Sequence, residues 1–99
     1  MPDATSEASR LLGLRLRERR LALSLNQEAV ALAAGLNVSN YARIDRGHGN
    51  PTFHTLIRLA TVLELDLSEL LHGFGAALPS ARGVRAGAPQ AGLTPYSVL

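Results

Sequence analysis

The chain has 99 residues, 46% of them apolar, and ten basic against eight acidic residues give a formal net charge of +2. That length holds one small domain with its own core and excludes a large multidomain enzyme, while the modest charge excludes a polybasic tail. All the basic residues are arginine, and cysteine is absent, which excludes a disulfide-stapled secreted scaffold, thiolate metal sites and thiol chemistry. No apolar run approaches the roughly 18 residues of a membrane span, and residues 1–9 carry Asp3 and Glu7 where a secretory leader would be positive, so a cytoplasmic protein is expected.

The first helix is expected to start between Thr5 and Ser9 and to run to Ala22, with Leu12, Leu16 and Arg20 on one face. An arginine in an apolar stripe requires a partner. Asn26 caps a second helix, Gln27–Ala33, with Glu28 in its first turn and Val30 and Ala31 inward. Gly35 supplies a left-handed turn, and Asn37 caps a third helix over residues 38–46, stopped by Gly47 and burying Tyr41 and Ile44. After the loop at His48, Gly49, Asn50 and Pro51, Thr52 caps a fourth helix whose Phe53, Leu56, Ile57, Ala60 and Leu63 recur at three and four and read as its core stripe. Asp66 and Glu69 form a capping box that opens a last short helix presenting Leu67, Leu70 and Leu71 before Gly73. The sum is an all-α fold of five helices without a strand, over residues 9–72. Residues 73–99 hold five of the nine glycines and three of the five prolines, and read as a flexible tail whose apolar end, LTPYSVL, could dock on the domain or on a partner.

Charge is divided along the chain. Residues 9–46 contain seven arginines and three acids, whereas residues 52–72 contain Arg58 against Glu64, Asp66 and Glu69. A positive half of this size can steer a protein toward a polyanion, although a charge run is more often just a solvated helix face.

The informative unit is residues 26–47, NQEAVALAAGLNVSNYARIDRG: a short helix, a glycine turn and a second short helix. Small residues at Ala31, Ala34 and Gly35 permit close approach, and the second helix turns Val38, Ser39, Asn40, Ala42 and Arg43 outward. Short side chains at a helix start, with an arginine one turn behind, suit entry into a major groove about 12 Å wide.

Over residues 11–72 the chain resembles the Cro and phage-repressor type, or XRE, family of helix-turn-helix regulators, through LRERR, then LNQEAVALAAGLNVSNYARIDRG, then NPTFHTLIRLATVLELDLSELL. The resemblance implies a lambda-repressor-like domain that binds double-stranded DNA. It assigns base contacts to Val38, Ser39, Asn40 and Arg43, a backbone contact to Gln27, and a structural pair to Arg20 and Asp45. Arg43 fits guanine O6 and N7 or a phosphate, and Val38 fits a thymine methyl or packs on Leu36. Arg46, His48 and Asn50 lie where flanking phosphates would be. Arg17 and Arg19 read as helix surface. Two positions depart from the family pattern: Glu64 stands where a glycine is common, and Val38 and Ser39 stand where glutamine or arginine is frequent.

Catalysis finds no support. His48, His54 and His72 lack metal-site spacing, Glu69 and His72 lack further ligands or a nucleophile, and GHGN lacks the lysine of a phosphate loop. The expectation is a homodimeric regulator acting as a repressor, without cofactor or metal, with Leu67, Leu70 and Leu71 at the dimer surface and recognition helices about 34 Å apart on a near-palindromic site. The alternatives are an antitoxin or accessory subunit of the same fold whose main partner is a protein, and a helical module that has lost DNA binding.

Overall fold

The computed structural model describes residues 6–77. Readings of residues 1–5 and 78–99, including most of the tail and its LTPYSVL end, lie outside the described residues. Five α-helices follow one another: α1 (Glu7–Ala22), α2 (Gln27–Ala33), α3 (Val38–Asp45), α4 (Phe53–Val62) and α5 (Leu67–Leu70), and no strand occurs among the described residues.

Local chemistry accounts for each start. Ser6 Oγ accepts from the Ser9 amide (2.9 Å), Asn26 Oδ1 from Ala29 (2.7 Å), Asn37 Oδ1 from Asn40 (3.1 Å) and Thr52 Oγ1 from Thr55 (3.2 Å). Each satisfies an amide that the helix leaves without a partner. At α5 the Glu69 carboxylate reaches back to the Asp66 amide at 2.8 Å. α3 ends one residue earlier than expected, at Asp45, with Arg46 as its C-cap.

Leu12, Leu16, Val30, Ala31, Ala34, Tyr41, Ile44, Leu59, Ala60, Leu63 and Leu70 form one buried cluster. Three expectations need correction. In α4, Phe53 and Ile57 are 61% and 40% exposed, and the buried position is Leu59, so the true stripe is Leu56, Leu59, Ala60 and Leu63. Both sets recur at three and four; they differ only in which way the helix is rotated. Leu70 is wholly inside the domain and Leu67 and Leu71 pack against its core, so Leu70 is not available to a second protomer. The folded part also continues past Gly73, where Phe74–Ala77 form a 3-10 turn and Phe74 packs against the core beneath the Arg15 guanidinium, 4.9 Å from the ring centre.

The crossing of α1 and α3 depends on two glycines. A Cβ on Gly13 would stand 2.7 Å from the Gly47 nitrogen and 2.8 Å from both Gly47 Cα and the Ile44 carbonyl oxygen. Gly47 itself has φ of 89°, which L side chains rarely adopt. Backbone lies on backbone at this point, and α3 is thereby fixed against α1.

Candidate nucleic-acid interface

α2 and α3 form the pair expected from the sequence. Gly35 turns at φ 71°, the Leu36 amide closes the turn on the Ala31 carbonyl at 2.8 Å, and the chain re-enters helix at Val38. Because Tyr41, Ile44 and Asp45 face inward, the 3.6-residue period turns Ser39, Asn40, Arg43 and Arg46 outward, while Val38, three residues before Tyr41 and seven before Asp45, lies over the inward side and is exposed through its place at the open start of the helix. The four expected base-reading residues are thus all exposed on α3, Ser39, Asn40 and Arg43 as its outward row and Val38 at its start. Asn40, Arg43, Asn50 and Thr52 border one concavity beside α3, and Arg43 Nη2 donates to the His48 carbonyl at 3.4 Å. His48 and Asn50 are exposed in the following loop.

The row is held from behind by one carboxylate. Asp45, 1% exposed, accepts from Arg20 Nε (3.1 Å to Oδ1), Arg20 Nη2 (3.1 Å to Oδ2), Tyr41 Oη (2.9 Å) and Gln27 Nε2 (2.9 Å). Burial alone would push this carboxyl up; hydrogen bonds from Arg20, then Gln27 and Tyr41, outweigh it and hold the pKa below the usual carboxylate range. The same contact raises the Arg20 guanidinium, while burial first and the nearby carboxylate second push the Tyr41 phenol up. The expected structural pair is thus part of a larger set that ties α1, α2 and α3 together.

Gln27 needs a finer description than the sequence permitted. Its side chain is half-buried and donates to Asp45, seven residues or about 10 Å along α3 from Val38. An amide nitrogen carries two N–H bonds, so a carboxylate and a phosphate are not exclusive partners. Arg17, read from the sequence as helix surface, reaches the same place: its Nε lies 3.7 Å from Asp45 Oδ2 and its Nη2 donates to the Asp45 carbonyl at 3.4 Å. The available signal was its spacing, three residues before the buried Arg20 on α1.

The arginines of α1 also change the meaning of the charge division. Arg17 bonds the last carbonyl of α3, Arg19 bonds the carbonyls of Leu63 (2.7 Å) and Glu64 (3.4 Å) at the end of α4, and Arg15 bonds those of Leu70 (3.0 Å) and Glu69 (3.4 Å) at the end of α5. Three arginines on one helix each cap the C-terminus of a different helix, where cations and donors are favoured. Arg10 is paired with Glu7 at 2.7 Å. The positive half is therefore not one DNA-facing field; in the first 46 residues, Arg43 and Arg46 are the arginines of the outward row.

Among the described residues no three His, Asp or Glu side chains are grouped to hold a metal ion, and no helix is long and apolar enough to cross a membrane.

A buried four-donor carboxylate beneath a short outward-facing helix, joined by a glycine turn to a second short helix, defines a helix-turn-helix domain. The helix-turn-helix family matches residues 16–70, and the chain belongs to that family. Its relatives include the cryptic phage CTXphi transcriptional repressor RstR of Vibrio cholerae serotype O1, 32% identical over 56 residues that cover 57% of this chain and 50% of that protein. The chain thus spans about half the length of the curated relative it matches. The restriction-modification controller protein C.AhdI from Aeromonas hydrophila is 37% identical, covers 63% of this chain and 94% of its own, and superposes with a TM-score of 0.61. The apo form of the competence regulator ComR from Streptococcus vestibularis, 23% identical with a TM-score of 0.64 over 88% of this chain and 31% of its own, shares the fold alone.

Proposed function

We propose that this chain is a transcription regulator that binds double-stranded DNA, represses by occupying its site, and works as a homodimer on two half-sites. The observation that carries this reading is the outward row on α3, short side chains at the helix start with Arg43 one turn behind, fixed from below by Asp45. In it, Val38, Ser39, Asn40 and Arg43 meet base edges. Gln27, Arg46, His48 and Asn50 meet phosphates on either side, with Arg17 added beside Gln27. Its place of action is the compartment that holds the duplex, the cytoplasm in a cell without a nucleus. Similarity to a phage transcriptional repressor and to a restriction-modification controller supports regulation over catalysis.

Selection of bound sequences from a random duplex pool tests the reading, followed by fluorescence anisotropy on the selected duplex across a salt series. The expected result is a site with two related half-sites and an affinity that falls steeply with salt. Two or three phosphate-contacting cations per protomer give a log-log slope of roughly −2 to −3 per protomer. Absence of salt-dependent binding to any duplex refutes the function.

A further inference from the structure

Among the described residues, six large apolar side chains are exposed: Leu14, Leu21, Leu32, Val38, Phe53 and Ile57. Val38 opens α3, and Leu14 and Leu21 lie on α1. The remaining three meet on another face. Ile57 and Leu32, the latter 66% exposed, face each other across an open groove between the last turn of α2 and α4, lined also by Ala34, Arg58, Thr61 and Val62. Phe53 projects from α4 one turn before Ile57.

We propose that a second copy of this chain docks on this face, about a two-fold axis beside Ile57. The surface is self-complementary in register. Phe53 lies four residues before Ile57, and Thr61, on the groove wall, lies four after it. Antiparallel pairing of two α4 helices across the axis therefore sets each projecting Phe53 against the groove of the other copy, and each Ile57 against its own mate. Residues 53, 57 and 61 form an i±4 ridge, and interdigitation of two such ridges is the commonest way globular helices pack. An isologous contact of this kind closes at two copies.

The area agrees with a weak dimer that forms at micromolar concentration. Phe53, Ile57 and Leu32 together expose on the order of 300 Å² of apolar surface per copy, the size at which a patch on a monomer tends to be functional. With the partly covered rim of His54, Arg58 and Thr61 the contact stays below the roughly 1,200 Å² at which standard specific interfaces begin, the range of weak, concentration-dependent association. The two Arg58 come to the same flank of the axis, where their stems cover apolar surface and their charges reach solvent. Ser39, Asn40 and Arg43 are not among the groove's lining, so both α3 rows stay uncovered. This inference gives the proposed homodimer its surface in place of Leu70, and its central test does not require DNA.

The full chain is examined by sedimentation velocity at tens of micromolar, with Phe53→Glu, Ile57→Glu and the α1 control Leu21→Glu. Wild type and Leu21→Glu should sediment as dimers, and the two α4 variants should raise the dissociation constant at least about tenfold, with helical circular dichroism unchanged. Since the chain has no cysteine, Ile57→Cys supplies a single thiol that the axis sets opposite itself. It should give a covalent dimer on mild oxidation, whereas Leu21→Cys should not, and this arm decides the matter if a glutamate variant fails to fold. A monomeric wild type, or a dimer that survives Phe53→Glu while Ile57→Cys stays unlinked, overturns the surface. Anisotropy with a mixed-sequence duplex on the same samples separates the two readings: a dimer without duplex binding refutes the DNA function alone, and a monomer that binds duplex refutes the surface alone.

Discussion

Replacing Asp45 by asparagine keeps the volume of the side chain and removes its charge. The carboxylate receives four donors within 3.1 Å, two of them from Arg20. An asparagine offers one acceptor oxygen, so whichever way its amide turns, one Arg20 N–H meets an NH2 group. Arg20 is 9% exposed and would keep the Leu25 carbonyl at 3.1 Å but lose its counter-charge. Breaking a buried pair from one side costs about 3 to 5 kcal/mol. A folded unit of this size has a total stability of roughly 4 to 10 kcal/mol, so the variant should lose a third or more of it. Urea denaturation followed by circular dichroism measures this as a lower midpoint at unchanged slope. The pH dependence supplies a second readout. Because the Asp45 pKa is lowered on folding, its contribution is fully present above the ordinary carboxylate range and is lost as pH falls through the lower folded value. Wild-type stability should therefore decline below about pH 4, and Asp45→Asn should show a flatter decline. A loss under about 1 kcal/mol, or an unchanged acid limb in the variant, would refute the role given to this carboxylate.

Gly13→Ala should destabilise by about 1 to 3 kcal/mol despite the better helix propensity of alanine, because its Cβ would meet Gly47 and Ile44 backbone that has no rotamer with which to yield; a higher melting temperature would show that α1 and α3 separate freely. Glu64 has φ of 58°, so Glu64→Gly should stabilise by up to about 1 kcal/mol in the same assay, and destabilisation would mean that its exposed contact with Arg19 outweighs backbone strain. Arg19→Met should cost about 1 kcal/mol through the uncapped Leu63 carbonyl, where a solvated surface arginine would cost nothing measurable. Arg43→Ala on the selected duplex should lose about 1 to 3 kcal/mol of binding and relax preference at one base position; uniform weakening across sequences with a salt slope smaller by about one would make it a phosphate contact instead.

Much of the fold was legible because its signals are local. Ser6 aside, each capping residue sits beside a change of periodicity, and Asn26, Asn37, Thr52 and Asp66 could be read one by one. The partner of Arg20 was legible for a different reason: an arginine among leucines on one face demands a counter-charge, and the family resemblance supplied Asp45. What stayed hidden depends on phase or on contacts distant in sequence. A three-and-four repeat fixes the period of α4 but not its rotation, so the pattern alone reads Phe53 and Ile57 as core and omits Leu59. Gly13 looks like a weak point in a helix until α3 is laid across it. Arg15 and Arg19 bond carbonyls 44 to 55 residues away, and nothing in their neighbourhood announces it. The outward row of α3 was readable, but its attachment to Gln27 through Asp45 was not.

The three helix-capping arginines of α1 bear on how this domain could change its target. Their hydrogen bonds run to main-chain oxygens, which every sequence provides, with ion pairs from Arg17 to Asp45 and from Arg19 to Glu64 beside them, and none runs to Val38, Ser39 or Asn40. Substitutions at those three positions leave the braces intact, so under the base-reading role proposed for them a new site preference is acquired there at little cost in folding. The converse holds for α1. A lysine in place of Arg19 would keep the charge but lose the planar fork whose Nε and Nη2 span the Leu63 and Glu64 carbonyls, so conservative exchange there trades away part of the scaffold on which every variant of α3 must be displayed.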